Sequence, residues 1–344
     1  MVESLHTQAE LAAVLAALRD GDEATFTAIA ERHRRELHVH CYRMLGSFHD
    51  AEDMVQEALI RAWRSRTSFE GRSSFASWLY RIATNVCLSQ LERRPRRILA
   101  PDIAPAPLDG VAAPDWRPDL PWLEPYPDPL LELPSPEDAE PDAVVVARET
   151  IELAYLAAVQ HLPARQRAVL ILRDALGWSE RETAALLETS VPSVKSALQR
   201  ARSTMRTQLP SHRLEWAAAG PREDERPVLE RFIAAYEQAD AAALTAILCE
   251  DARQTMPPAL LWFDGREAIV SHARRLLDGA IGEFKMVATT ANRQPAAAAY
   301  LRYPGGTVFR LSGLNVLRIE GGRIAEITSF SPALCVPFGL PATR

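Results

Sequence analysis

The stretch Ser179-Glu180-Arg181-Glu182-Thr183-Ala184-Ala185-Leu186-Leu187-Glu188-Thr189-Ser190-Val191-Pro192-Ser193-Val194-Lys195-Ser196-Ala197-Leu198-Gln199-Arg200-Ala201-Arg202 decides how this chain of 344 residues is read. Ser179 followed three residues later by Glu182 fits a capping box, so a short helix should start there and run to about Leu187. Glu188-Thr189-Ser190 then forms a three-residue turn. Ser190 caps a second helix, expected from Val191 to about Gln208, with Pro192 in the first turn, where its missing N–H costs nothing. Along that helix Val191, Val194, Leu198, Ala201 and Met205 share one face and should pack inward. Ser193, Lys195, Ser196, Gln199, Arg200 and Arg202 are left facing out. That outward set holds cations and no acid, whereas a merely solvated face mixes signs. Two helices joined by a tight turn, the second polar and basic, read as a helix-turn-helix that enters a DNA major groove. An ordinary helical hairpin is the competing reading of this stretch taken alone.

Working outward, charge divides the chain into parts. The net charge is −6, which by itself argues against a nucleic-acid partner. The average hides a segregation: residues 61–97 carry nine basic and two acidic residues, while residues 98–147 carry one basic and eleven acidic. Segregation on this scale implies separate parts with separate partners, the basic part suited to phosphates. Residues 11–97 read as helical, with no proline before Pro95. Residues 98–141 hold twelve prolines and read as a linker. Trp122, Leu123, Tyr126, Leu130 and Leu131 make it too apolar for a freely solvated tether, so Trp122, Leu123 and Tyr126 are expected to dock on a folded surface. Residues 142–209 are helical again.

Two features stand out in the first helical block. His49 to Trp63 is an amphipathic helix, with Met54, Ala58, Leu59 and Trp63 expected as its buried stripe. Asp50, Asp53, Gln56 and Glu57 face out. Acids near a helix start are favoured by the macrodipole, which accounts for Asp50, Glu52 and Asp53 but less well for Gln56 and Glu57. A one-sided acidic face suits docking to a basic protein surface. The second feature is the run Phe69-Glu70-Gly71-Arg72-Ser73-Ser74-Phe75-Ala76-Ser77-Trp78-Leu79-Tyr80-Arg81-Ile82-Ala83-Thr84-Asn85. Phe75, Trp78, Leu79 and Ile82 have core spacing. Phe69, Arg72, Ser73, Arg81 and Asn85 are left as candidates for holding unpaired bases, which need apolar walls and polar edges.

Residues 228–344 change character. Leu229, Phe232, Ile233 and Tyr236 repeat at helical spacing. Strand-like segments follow at Phe284–Thr290, Ala297–Tyr303, Val308–Ile319 and Ile324–Phe330, with turns at Tyr303–Thr307 and Glu320–Arg323. Helices followed by a strand meander imply an α+β domain. Arg253, Asp264, His272, Asn292, Tyr300 and Arg310 are its candidate polar residues, and none has the spacing of a catalytic motif. Asp264-Gly265 reads as a turn before a helix that carries His272.

The composition is that of a soluble globular chain, 47% hydrophobic and 24% charged. No apolar run approaches the ~18 residues of a membrane span, and the start lacks the basic-then-apolar pattern of a signal peptide. The four cysteines have no metal-ligand spacing. No metal, cofactor or catalytic residue is expected, and the reading is a cytoplasmic protein.

Taken together, Leu45–Arg94 resembles region 2, and Ala158–Arg206 resembles region 4, of the extracytoplasmic-function group of sigma-70-type RNA polymerase sigma factors. The segment from 228 on resembles a SnoaL-like domain of the nuclear-transport-factor-2 superfamily. The resemblance implies a multidomain fold: two all-α sigma domains, the second a helix-turn-helix, and an α+β cone-shaped domain. It implies an alternative sigma factor that carries RNA polymerase core to particular promoters. Asp53, Gln56 and Glu57 would meet the β′ clamp helices, with the β subunit a further partner. The Phe69–Ser74 loop, Arg81 and Asn85 would hold melted −10 DNA, and Ser193, Lys195, Ser196, Gln199, Arg200 and Arg202 would face the −35 duplex. The usual loop motif has an acid near position 72, where this chain has Arg72. The C-terminal domain is expected to modulate activity through a contact within the chain. A regulator acting without polymerase, and a pocket enzyme tethered to a DNA-binding module, are the alternatives.

Overall fold

The computed structural model describes residues 15–16, 18, 20–71, 73–93, 97, 100–102, 106, 115–131, 151–209 and 225–344. The chain forms two compact units, one of residues 1–96, 130–150 and 154–214, the other of residues 97–129, 151–153 and 215–344. No helix among the described residues is long and apolar enough to cross a membrane.

The first unit begins with helices α1 (Glu23–Glu31), α2 (Arg34–Leu45), α3 (Phe48–Arg64) and α4 (Phe75–Arg93). Helix α2 is buried from Leu37 through its end at Leu45, and stops at Gly46, whose φ of 68° only glycine adopts without strain. Ser47 then caps α3 by accepting from the Asp50 amide at 3.1 Å. The buried stripe of α3 is Ala51, Val55, Ala58 and Ala62. The expected stripe was centred on larger residues, but Met54, Leu59 and Trp63 lie half-buried at its margins. Small side chains at the centre let helices approach closely, and large ones then wrap the flanks. Trp63 packs on Phe26 with ring centroids 5.2 Å apart.

The second part of this unit holds α5 (Leu153–Val159), α6 (Ala164–Leu170), a π-helical turn (Ile171–Ala175), α7 (Glu180–Leu186) and α8 (Val191–Gln208). Arg167 of α6 is buried. Its guanidinium donates to the carbonyl of Met44 (2.7 Å), to Gln160 Oε1 (3.1 Å) and to the carbonyls of Gln160 (3.2 Å) and Leu162 (3.4 Å). The cation thus sits at the carbonyl ends of two helices, α2 and α5, where the helix dipoles offset the cost of its burial.

The second unit contains α9 (Glu225–Glu237), α10 (Ala241–Ile247), β1 (Leu248–Thr255), β2 (Trp262–Asp264), α11 (Arg266–Leu277) and β3 (Glu283–Ala291), β4 (Gln294–Arg302), β5 (Arg310–Glu320) and β6 (Arg323–Phe330). The six strands form one sheet in the order β2-β1-β6-β5-β4-β3, antiparallel except where β1 lies parallel to β6. Phe232, Tyr236, Ile247, Phe263, Ile269, Ala297, Leu317 and Ile327 belong to the core between helices and sheet. The expected meander is present as β3 to β6, and α11 carries His272 as expected. Strands β1 and β2 were not expected. The segment Cys249-Glu250-Asp251-Ala252-Arg253 has no apolar alternation, and β1 slips register against β6 between Leu248 and Arg253. Gly313 is required where β5 meets β6: a Cβ there would lie 2.6 Å from the Phe330 carbonyl oxygen.

Candidate polymerase, DNA and linker interfaces

Helix α8 follows the sequence pattern closely. Ser179 and Glu182 form the reciprocal capping box of α7, and Ser190 caps α8 by accepting from the Ser193 amide. Val194, Leu198, Ala201 and Met205 are buried and Val191 half-buried, while Ser193, Lys195, Ser196, Gln199, Arg200 and Arg202 are exposed. The outward groups differ in what holds them. Arg200 Nη1 donates to Ser196 Oγ at 2.5 Å. Lys195 Nζ lies 3.3 Å from Glu180 Oε2. Arg202 makes a two-pronged contact with Asp174, Nε to Oδ2 at 3.0 Å and Nη2 to Oδ1 at 2.6 Å, and that hydrogen-bonded carboxylate raises its pKa further. Asp174 was not among the sequence candidates. It lies in the π turn, which no residue pattern announces.

On α3, Asp53 and Gln56 are exposed and Glu57 half-exposed, all away from the stripe that packs inward. Glu57 accepts from Arg61 Nε at 2.6 Å. Glu52 accepts from Arg34 Nη1 at 3.1 Å, and His38 Nε2 lies 3.5 Å from its other oxygen. Gln56 Nε2 also reaches Glu52 Oε1, at 3.5 Å, and Ile60, 46% exposed, lies one turn further along the same face.

The loop before α4 divides differently from expectation. Phe69 is only 7% exposed. Its ring lies 5.7 Å from Phe75 and 5.1 Å from Trp78. It belongs to the aromatic core of the first unit and offers no free face to a base, because burying an aromatic ring among others gains more than leaving it in water. Ser74 Oγ accepts from the Ser77 amide at 3.1 Å and so caps α4. Ser73 and Asn85 are exposed and Arg81 half-buried. Arg72 lies outside the described residues. Of the expected base-contacting residues, Ser73, Ser74 and Asn85 are thus exposed, Ser74 being engaged in the cap, and Arg81 is half-buried.

The Pro-rich segment is built into the second unit. Trp122 packs with Ala100 and Trp262, and its Nε1 donates to the Arg117 carbonyl at 2.6 Å. Leu123 and Tyr126 are buried. The β3–β4 hairpin turns through Asn292 and Arg293 at φ 57° and 60°, a two-residue turn of the primed type that suits the strand twist. Asn292, fully buried, binds both backbone groups of Tyr126: its backbone amide donates to the Tyr126 carbonyl at 2.9 Å and its side-chain Oδ1 accepts from the Tyr126 amide at 2.8 Å. Asn292 Nδ2 donates to the Ile151 carbonyl at 2.8 Å, and Gln294 Oε1 accepts from the Leu153 amide at 3.1 Å. The Arg293 amide donates to Asp128 Oδ1 at 2.7 Å.

The remaining polar candidates of this unit do not converge. Arg253 and Asp264 form an exposed ion pair at 3.4 Å. His272 stacks on Phe263 at 4.4 Å, and burial lowers its pKa to about 4. Tyr300 is buried beneath the Arg344 guanidinium. Arg310 is exposed at the start of β5. Among the described residues no cluster of three or more His, Cys, Asp or Glu is placed to hold a metal ion, and the four cysteines are free thiols.

A helical block with a one-sided acidic face, followed by a helix-turn-helix, is the build of a promoter-recognition subunit. Comparison with known proteins bears this out. Residues 29–97 match the profile of Sigma-70 region 2, residues 152–205 that of Sigma-70, region 4, and residues 229–327 that of the SnoaL-like domain. The ECF RNA polymerase sigma factor SigG of Mycobacterium tuberculosis is 41% identical over 325 residues, covering 94% of this chain and 85% of the relative. The ECF RNA polymerase sigma factor SigW of Bacillus subtilis is 32% identical over 196 residues, 56% of this chain and 92% of the relative. The crystal structure of the Mycobacterium tuberculosis extracytoplasmic function sigma factor SigJ shares the fold, with a TM-score of 0.58 at 19% identity over 92% of this chain and 99% of that one. The chain belongs to the extracytoplasmic-function sigma factors of the sigma-70 family, in a form that carries a SnoaL-like domain. As such it directs RNA polymerase core to promoter DNA and takes part in transcription initiation.

Proposed function

We propose that the three interfaces divide the work of initiation as follows. Asp53, Gln56 and Glu57 dock region 2 on the basic β′ clamp helices of the polymerase. Ser73, Arg81 and Asn85 hold melted −10 DNA, and the outer face of α8 reads the −35 duplex. The observation that carries this reading is the sorting of α3. Its polar face is exposed and acid-rich, and the stretch that follows on the chain is basic. Complementary charge of this kind favours docking to a basic partner. Asp53→Arg combined with Glu57→Arg should abolish co-purification of core polymerase while helix content, read by circular dichroism, stays at the wild-type level. Undiminished core binding by the folded double variant would refute the docking role.

The C-terminal domain acts as a modulator rather than an enzyme. Its polar candidates are spread over the fold, and the residue best held in place, Asn292, is spent on the linker. Trp122→Ala with Tyr126→Ala should change promoter output and speed amide exchange across residues 116–131. Unchanged output together with unchanged exchange would reduce the domain to a passenger.

A further inference from the structure

The cations on α8 are held by unequal partners. Lys195 touches Glu180 through a single contact, with 62% of its side chain exposed. An ion pair so open to water contributes little and is easily exchanged for a phosphate. The Arg202–Asp174 contact is two-pronged, with the Arg202 side chain 51% and the Asp174 side chain 23% exposed, so it is the second hydrogen bond more than burial that sets it apart. Paired, planar contacts are the strong class of charge-assisted hydrogen bond.

The π turn is what makes the contact possible. Leu170 and Ile171 are both buried. In a regular α-helix residue 174 would share their face, being three and four residues on, and its carboxylate would be driven into the core. The Leu176 amide instead reaches back five residues to the Ile171 carbonyl at 3.0 Å, and the Trp178 amide six residues to that of Leu172, also at 3.0 Å. The extra residue turns Asp174 out of the core and toward α8. Arg173 Nη1 donates to the Trp178 carbonyl and so fastens the exit of the same turn. π turns of this kind are concentrated at functional sites.

We propose that Asp174 is a positioning residue for −35 recognition: through Arg202 it fixes the setting of α8 against the π turn, and Arg202 stays on Asp174 when DNA is bound instead of gripping a phosphate. This rests on the reading of α8 as the −35 helix and assigns Arg202 a different task from its exposed neighbours. Ser193, Lys195, Ser196, Gln199 and Arg200 are then presented to the groove by a helix whose rotation is held from behind.

The test uses holoenzyme reconstituted with core polymerase, a promoter duplex recovered by start-site mapping, and the same duplex with its −35 element scrambled. Arg202→Met and Asp174→Asn should each lower binding to the promoter duplex roughly tenfold and leave binding to the scrambled duplex nearly unchanged. The salt dependence of binding should keep its slope in Arg202→Met, because no phosphate contact is lost. In Arg200→Ala the slope should fall by about 0.9. The exchanged pair, Asp174→Arg with Arg202→Asp, should recover most of the lost discrimination, since the contact is rebuilt with its ends swapped. A merely structural role would change thermal stability without changing the ratio of promoter to scrambled binding. If Arg202→Met lowers the slope as much as Arg200→Ala does, or the exchanged pair binds worse than either single variant, the proposal is overturned. A slope unchanged from wild type in Arg200→Ala as well would overturn the reading of α8 beneath it, and the proposal with it.

Discussion

Helix α8 and the loop from Phe69 to Ser74 are both rich in polar groups and both proposed to meet DNA, yet their side chains are sorted by different rules. In α8 the helical period alone decides which residue is inside. The spacing sorts it well: Val194, Leu198, Ala201 and Met205 are buried, Val191 at the helix start is half-buried, and Ser193, Lys195, Ser196, Gln199, Arg200 and Arg202 are exposed. In the loop no period applies, and the largest apolar group is drawn into whatever core lies within reach. Phe69 therefore goes to Phe75 and Trp78. An aromatic in a regular element can be assigned by its neighbours in sequence, whereas one in a loop is assigned by neighbours in space.

The sharpest way to break this contrast is Phe69→Ala. Removing a buried aromatic should cost about 3–5 kcal/mol of stability in the first unit, measured by denaturant unfolding. A variant of near wild-type stability that fails only in promoter melting would return Phe69 to the DNA.

Acid should also separate the two parts of the first unit. Burial lowers the pKa of His38 to about 4, against the pull of Glu52, and that of His40 to about 3. Both are neutral in the fold, while in the unfolded chain they take up protons near pH 6.5. Their contribution to stability is therefore complete above pH 6.5 and is lost as pH falls from there toward 4 and then 3. Amide exchange, corrected for its intrinsic rate, should show α2 opening more readily at pH 5 than at pH 7, with a smaller change in α8. Equal protection of α2 at both values would contradict this.

Smaller effects sharpen the comparison on the DNA side. Asn85→Ala removes an exposed amide and should leave stability within about 0.5 kcal/mol of wild type, while permanganate reactivity of the −10 region falls. Normal melting by this variant would remove Asn85 from the interface. Lys195→Ala should do least, reducing the salt slope of holoenzyme binding by about 0.9 unit; an unchanged slope would mean that Lys195 stays with Glu180.

These contrasts also mark what could be read from residues alone. The capping serines Ser179 and Ser190, the inward face of α8, the strands β3 to β6 and the helix bearing His272 all follow from local chemistry and period. The centre of the α3 stripe was missed by about one residue because close packing favoured Ala51 and Ala62 over the bulkier Met54 and Leu59. Strand β1 was missed because its partners, β2 and the distant β6, decide its conformation, and its own residues carry no alternation. Asp174 was missed because a π turn re-aims a side chain without leaving a signature. Asn292 was read as a pocket candidate: an Asn at a tight turn is ordinary chemistry, and only the fold brings Tyr126, 166 residues away, onto its amide.

The hold of Asn292 on Tyr126 and Ile151 also bears on how the chain can be dissected. The SnoaL-like match begins at residue 229, which invites a cut just before it. Such a fragment would leave without its own parts: Trp122 from beside Trp262, Tyr126 from the hairpin, and the Leu153 amide from Gln294. The hairpin would then keep two non-glycine residues in the left-handed region with no linker to brace them. Segments held by shared buried contacts tend to open and close together. The compact unit is thus discontinuous in sequence, and a second chain supplying residues 97–153 in trans, which carries Tyr126, Ile151 and Leu153, is the natural complement to a fragment starting at 215.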